Sequence, residues 1–76
     1  MNKYIYAECA IDIWPEICVL MARSYNDAVE KLAQKYSKQF DDDKILDLYD
    51  DFIALRDYLN SIYELAISDL EIYEEL

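Results

Sequence analysis

Residues 3–13, KYIYAECAIDI, alternate with a period of two, placing Ile5, Ala7, Cys9, Ile11 and Ile13 on one face and Tyr4, Tyr6, Glu8, Ala10 and Asp12 on the other. That period, carried by β-branched and aromatic side chains, predicts a strand. Trp14-Pro15-Glu16 interrupts it, because proline has no N–H to give to a ladder. The pattern resumes in ICVLMAR, residues 17–23, so the two segments predict an antiparallel hairpin over 3–23. With Trp14-Pro15 as the turn, Cys9 falls opposite Leu20 and Cys18 opposite Ile11. The second strand is apolar on both faces, with Cys18, Leu20 and Ala22 on one and Ile17, Val19 and Met21 on the other. Tyr4, Tyr6, Val19 and Met21 are expected to form an aromatic and apolar patch on the side away from the first helix, covered by the second helix or by a dimer mate.

The period changes at Ser24. Ser24 is a natural N-cap, Asp27 lies in the first turn, and Ala28, Val29, Leu32, Ala33 and Tyr36 form the stripe of a helix over 25–38, with Lys31, Lys35 and Lys38 on another face. Those lysines could contact phosphate, but three cations on a neutral half-chain read more simply as a solvated face. After a loop around 37–42, with Asp42 or Asp43 as cap, a long helix is predicted over 43–65. Its apolar stripe is Ile45, Leu48, Phe52, Leu55, Leu59, Ile62 and Ala66, in steps of three and four. Asp43, Asp47, Asp50, Ala54, Asp57, Ser61 and Glu64 keep the same steps two residues further round, about 200° away on a helix of 100° per residue. One side of this segment builds the core and the other displays charge. Leu70 and Ile72 alternate with Glu71 and Tyr73, which predicts a short third strand near 69–74, with continued helix as the alternative. The fold class is therefore α+β, as a single domain over 1–76.

Charge sharpens this picture. Residues 1–40 hold five acids and five bases, whereas residues 41–76 hold twelve acids against Lys44 and Arg56, so the whole net charge of −10 sits in the second half. Such a field repels nucleic acid and anionic membranes and attracts basic partners. An apolar content of 55% with eight tyrosines is too rich for a disordered acidic tail. Glycine is absent, which disfavours phosphate-cradling loops and turns needing positive φ. No apolar run reaches the length of a membrane span, and two cysteines without a leader-like start indicate buried thiols in a reduced cytoplasm.

Catalytic chemistry finds little support. Without histidine the usual zinc patterns are excluded and neither cysteine has an imidazole to activate it. The segment DDDKILDLYDDF has acids where a calcium loop would have them, but lacks the mid-loop glycine and the terminal glutamate. Carboxylate pairs on an exposed face also lack the burial that drives catalytic pKa values apart. No metal, cofactor or enzymatic activity is expected.

What survives is an acidic and aromatic surface: Asp43, Asp47, Asp50, Asp51, Asp57 and Glu64, with Tyr49 and Tyr58 beside them. On one straight helix the carboxylates from 43 to 64 span about 32 Å, a partial copy of a phosphate backbone. Tyrosine adds hydrogen bonds and a stacking surface for arginine. In size, acidity, tyrosine content and this rail the chain resembles the small acidic inhibitors that phages encode against host defence, including anti-CRISPR proteins that act as DNA mimics. The resemblance implies a stoichiometric binder that occludes a basic, nucleic-acid-recognising surface of a host protein, such as a CRISPR effector, in the host cytoplasm. The protein itself would contact no nucleic acid and would be a monomer or homodimer. The competing reading is a small assembly module that dimerises, or pairs with a partner helix, through the 45–66 heptad stripe.

Overall fold

In a computed structural model of the chain, residues 2–10, 14–67 and 71–73 are described. The hairpin forms as expected, with β1 at Asn2–Ala10 and β2 at Glu16–Ala22. Its register differs from the expected one: Tyr4 pairs with Leu20, Tyr6 with Cys18 and Glu8 with Glu16. A turn confined to Trp14-Pro15 would have required strands running to residue 13, whereas β1 pairs with β2 only as far as Glu8. Cys9 instead pairs with Ala66, so the two thiols are again not opposed.

The third strand position is filled by β3, Leu65–Ile67, and β4, Glu71–Tyr73, both antiparallel to β1 on the flank away from β2. Glu8 lies opposite Ile67 but Ile5 lies opposite Glu71, so the register advances by one residue between them. The terminal strand expected near 69–74 is thus present as β4, while residues 69, 70 and 74 lie outside the described residues.

Two helices cover one face of the sheet. Helix α1, Tyr25–Phe40, starts where Ser24 Oγ accepts the Asp27 N–H at 3.1 Å, and the Asp27 carboxylate returns the favour by accepting the Arg23 N–H at 2.9 Å. The long helix expected over 43–65 is broken in two. Asp43–Leu48 is a 3₁₀ segment, residues 49–51 turn the chain, and α2 is Phe52–Tyr63. The break has a local cause: Asp51 Oδ1 accepts the Ala54 N–H at 3.1 Å and starts a new helix, a better use of aspartate than a helix interior.

Both helices end on a non-glycine residue in the left-handed region, Asp41 at φ 51° and Glu64 at φ 55°. The lack of glycine therefore did not prevent positive-φ turns. It made them more costly, by about 1–2 kcal/mol each.

The core runs between sheet and helices, from Ala28, Val29, Leu32 and Ala33 of α1 through Ile45 to Phe52, Leu55 and Leu59 of α2, closed by Leu65 and Ile67. The expected sheet orientation is corrected here: Tyr4 and Tyr6 point into this core, whereas Val19 and Met21, grouped with them in the expected patch, are exposed on the opposite face. A tyrosine ring buries more apolar area than isoleucine, and the small residues of α1 leave room for it. Tyr4 meets Tyr25 edge to face at 6.4 Å between centroids, and the Tyr6 hydroxyl accepts a hydrogen bond from Lys35 Nζ at 3.0 Å.

Candidate partner-binding face

The acid-rich segment positions its side chains through its caps. Asp42 Oδ1 accepts the Lys44 N–H at 3.0 Å and starts the 3₁₀ segment, as Asp51 starts α2. Around these two starts, Asp43 and Asp47 stand exposed on the 3₁₀ segment, Tyr49 and Asp50 in the turn, Asp51 at the cap, Asp57 on α2 and Glu64 at its end. Asp57 lies 4.0 Å from the Arg56 Nε, a marginal ion pair on an exposed carboxylate. The break at 49–51 removes the even spacing a straight helix would have provided. The acids form a band that passes from the 3₁₀ segment through the turn onto α2, dense in charge but without the regular pitch of a phosphate strand.

Tyr58 behaves differently from the residues it was grouped with. Its hydroxyl donates to Asp42 Oδ2 at 2.6 Å, and Tyr63 donates to the same oxygen at 2.7 Å. Both hydrogen bonds hold the Asp42 carboxyl below its usual range, Tyr58 contributing most. In turn the Asp42 carboxylate raises Tyr58 and pushes Tyr63 up to about 12. Phe40 stacks on Tyr63 at 4.1 Å between centroids and 13° between planes, which ties the end of α1 to the end of α2. Asp42 and Tyr58 thus lock the band's support, and Tyr49 is the tyrosine that stays open to a partner. Only the placement of Asp42 before an apolar run hinted at this role.

A second polar cluster closes the sheet side of α1. The Tyr36 hydroxyl donates to the Glu8 carboxylate, Lys35 Nζ lies 3.8 Å from Glu8 Oε2, and the same ammonium stands 5.2 Å from the Tyr36 ring centre. Burial, reinforced by the bond to Glu8, keeps Tyr36 protonated far above the ordinary tyrosine range. Lys31 is also engaged, 3.6 Å from Asp27 and donating to the Met21 carbonyl at 2.9 Å. Two of the three lysines of α1 therefore fasten the helix to the hairpin, and Lys38 stands exposed near the helix end.

Chemically, the face offers carboxylate acceptors and an aromatic ring to arginine and lysine side chains. Among the described residues no group of three Cys, Asp or Glu side chains gathers to hold a metal ion, and no helix is long and apolar enough to cross a membrane. No family model, curated protein or solved structure matches the chain. The stripe assigned to helix pairing is mostly consumed within the fold, since Ile45, Phe52, Leu55 and Leu59 are buried while Ile62 and Ala66 are exposed.

Proposed function

We propose that this chain is a non-enzymatic binding protein whose acidic band occupies a basic, nucleic-acid-recognising surface of a host protein, in the manner of an anti-CRISPR or other phage anti-defence DNA mimic acting in the host cytoplasm. One observation carries the reading: Asp43, Asp47, Asp50, Asp51, Asp57 and Glu64 are all exposed on one continuous stretch, in the half of the chain that holds the entire net charge of −10. Exposed carboxylates at this density steer and hold arginine and lysine side chains, and a groove filled with them is closed to phosphate. Tyr49 adds a stacking platform at the turn. The irregular spacing supports charge occlusion of a basic groove over close imitation of a duplex.

The test is capture of the host partner, followed by titration against it of the wild-type chain and of the variant combining Asp47→Lys, Asp50→Lys and Asp57→Lys. The reading expects nucleic acid to compete for the partner, affinity to fall steeply as salt rises, and the triple reversal to weaken binding by at least about 100-fold, since close interfacial charge pairs contribute from about 1.5 kcal/mol upward. Equal affinity of the two proteins at low and high salt would remove it.

A further inference from the structure

The acidic band is not purely polar. Leu46, Tyr49 and Ile53 lie within it and are 39%, 51% and 60% exposed. The backbone groups them. In a 3₁₀ segment residues three apart eclipse one another, with a rise of about 6 Å between them. Asp43, Leu46 and Tyr49 therefore stand in one line along Asp43–Leu48 and its C-cap, Lys44 and Asp47 form the next, and Ile45 faces the core. Tyr49 keeps the line because its φ of −65° and ψ of −20° are themselves 3₁₀ values. Ile53 follows four residues later, within about 14 Å of Tyr49 even for a fully extended chain. Exposed apolar side chains thus alternate with carboxylates from Asp43 to the first turn of α2.

Charge selects the occupant. Residues 41–57 hold seven acids against Lys44 and Arg56. Such a field turns away nucleic acid, an anionic lipid surface and a second copy of a chain of charge −10, and draws a cationic partner. Arginine and lysine alone do not complete the match. They satisfy the carboxylates, and a guanidinium can lie on the Tyr49 ring, but Leu46 and Ile53 offer a cation nothing. The complement must carry both characters. On an α-helix, apolar side chains at i and i+4 are about 6 Å apart along the axis, the interval that separates Leu46 from Tyr49, with cations free to flank them.

We infer that the element received by this face is a cationic amphipathic helix, its apolar residues set on Leu46, Tyr49 and Ile53 and its arginines and lysines on Asp43, Asp47 and Asp50. This rests on the acidic band being the partner-binding face and adds the chemistry of what binds there. The cations supply attraction that salt screens, and the apolar contacts supply a part that salt does not.

Two synthetic peptides of about 18 residues serve as probes, with the same number of arginines and with either leucine or glutamine at every i, i+4 position, both good helix formers. Each is titrated against the full chain at about 20 mM and about 500 mM salt. The leucine peptide should bind at least about tenfold more tightly, the effect of burying one or two leucine side chains, and should keep that advantage at high salt. Leu46→Gln and Ile53→Gln, with the circular dichroism spectrum kept, should each weaken the leucine peptide and leave the glutamine peptide unchanged. Ile17→Gln, at an exposed apolar position on β2, should affect neither. Equal affinity of the two peptides, or a loss on Ile17→Gln as large as on Leu46→Gln and Ile53→Gln, would overturn the inference. The variant combining Asp47→Lys, Asp50→Lys and Asp57→Lys separates it from the reading beneath it. If that variant weakens two peptides that bind equally, the acidic band stands and the amphipathic helix falls; if it weakens neither, or neither peptide binds the wild-type chain below about 1 mM at low salt, both fall.

Discussion

Asp42 is a single carboxylate with three jobs: it caps the 3₁₀ segment, accepts the Tyr58 hydroxyl and accepts the Tyr63 hydroxyl. The two tyrosines bond to one oxygen, so their contributions should not add, and the loss from Tyr58→Phe with Tyr63→Phe should differ from the sum of the single losses in a double-mutant cycle. The pH dependence follows from the direction of each shift. Tyr63 is raised to about 12 in the folded chain against about 10 unfolded, so its contribution is complete below pH 10 and is lost as pH rises toward 12. Asp42 is lowered, so its contribution is present above the unfolded carboxylate value near 4 and is lost on acidification below it. Thermal melts of wild type and Tyr63→Phe should therefore converge above about pH 10, and a constant gap between them up to pH 11.5 would show that the bond to Asp42 contributes nothing. Backbone strain gives a second residue-level prediction. Asp41→Gly relieves a left-handed residue at the end of α1 and should raise stability by about 0.5–1 kcal/mol, the steric gain less the added entropy of the unfolded glycine.

The elements differ in how far the sequence discloses them. Strand periodicity in β1 and β2 and the Ser24 cap of α1 were readable because each is a local signal with a local cause. The inward side of the hairpin was not, since both faces of β2 are apolar; Tyr4 and Tyr6 point inward because their rings fill the space above α1's small residues and Lys35 satisfies the Tyr6 hydroxyl at the rim. Nor was the break at residues 49–51. The step of three from Ile45 to Leu48 fits a 3₁₀ turn as well as an α-helix, and the apolar pattern runs on through the break. The competing signal was Asp51, whose side chain stabilises a new helix start more than a continuing helix. Asp51→Ala should accordingly cost about 0.5–2 kcal/mol in chemical denaturation, a cap loss that an exposed mid-helix aspartate would not show. The candidate set was legible as exposed acids, but the bond that engages the Tyr58 hydroxyl was not, because its partner, Asp42, lies sixteen residues away. Burial grades the core: Leu59→Ala and Phe52→Ala should each cost about 2–5 kcal/mol, and Leu48→Ala, at a half-buried position, less than either.

At the scale of the whole molecule the acidic band opposes folding even as it equips the chain to bind. Twelve acids against two bases in residues 41–76 repel one another, and the described ion pairs that would offset them are few and exposed. A protein arranged for stability alone would mix the two signs over its surface. The segregation therefore has a measurable cost, which salt should reduce. Melting temperature should rise between about 20 mM and about 500 mM sodium chloride, where the screening length falls well below the size of the band. Replacing Asp47, Asp50 and Asp57 by lysine takes the net charge from −10 to −4, each exchange adding two, and should raise stability at low salt while flattening its salt dependence. A relief of about 1 kcal/mol would appear as about 4–8 °C in a chain of this length. The comparison is wild type and the triple variant melted at both salt concentrations. If the variant is less stable than wild type at low salt, or both respond to salt equally, the band's carboxylates are engaged in stabilising contacts and are not free to receive a partner's arginines and lysines.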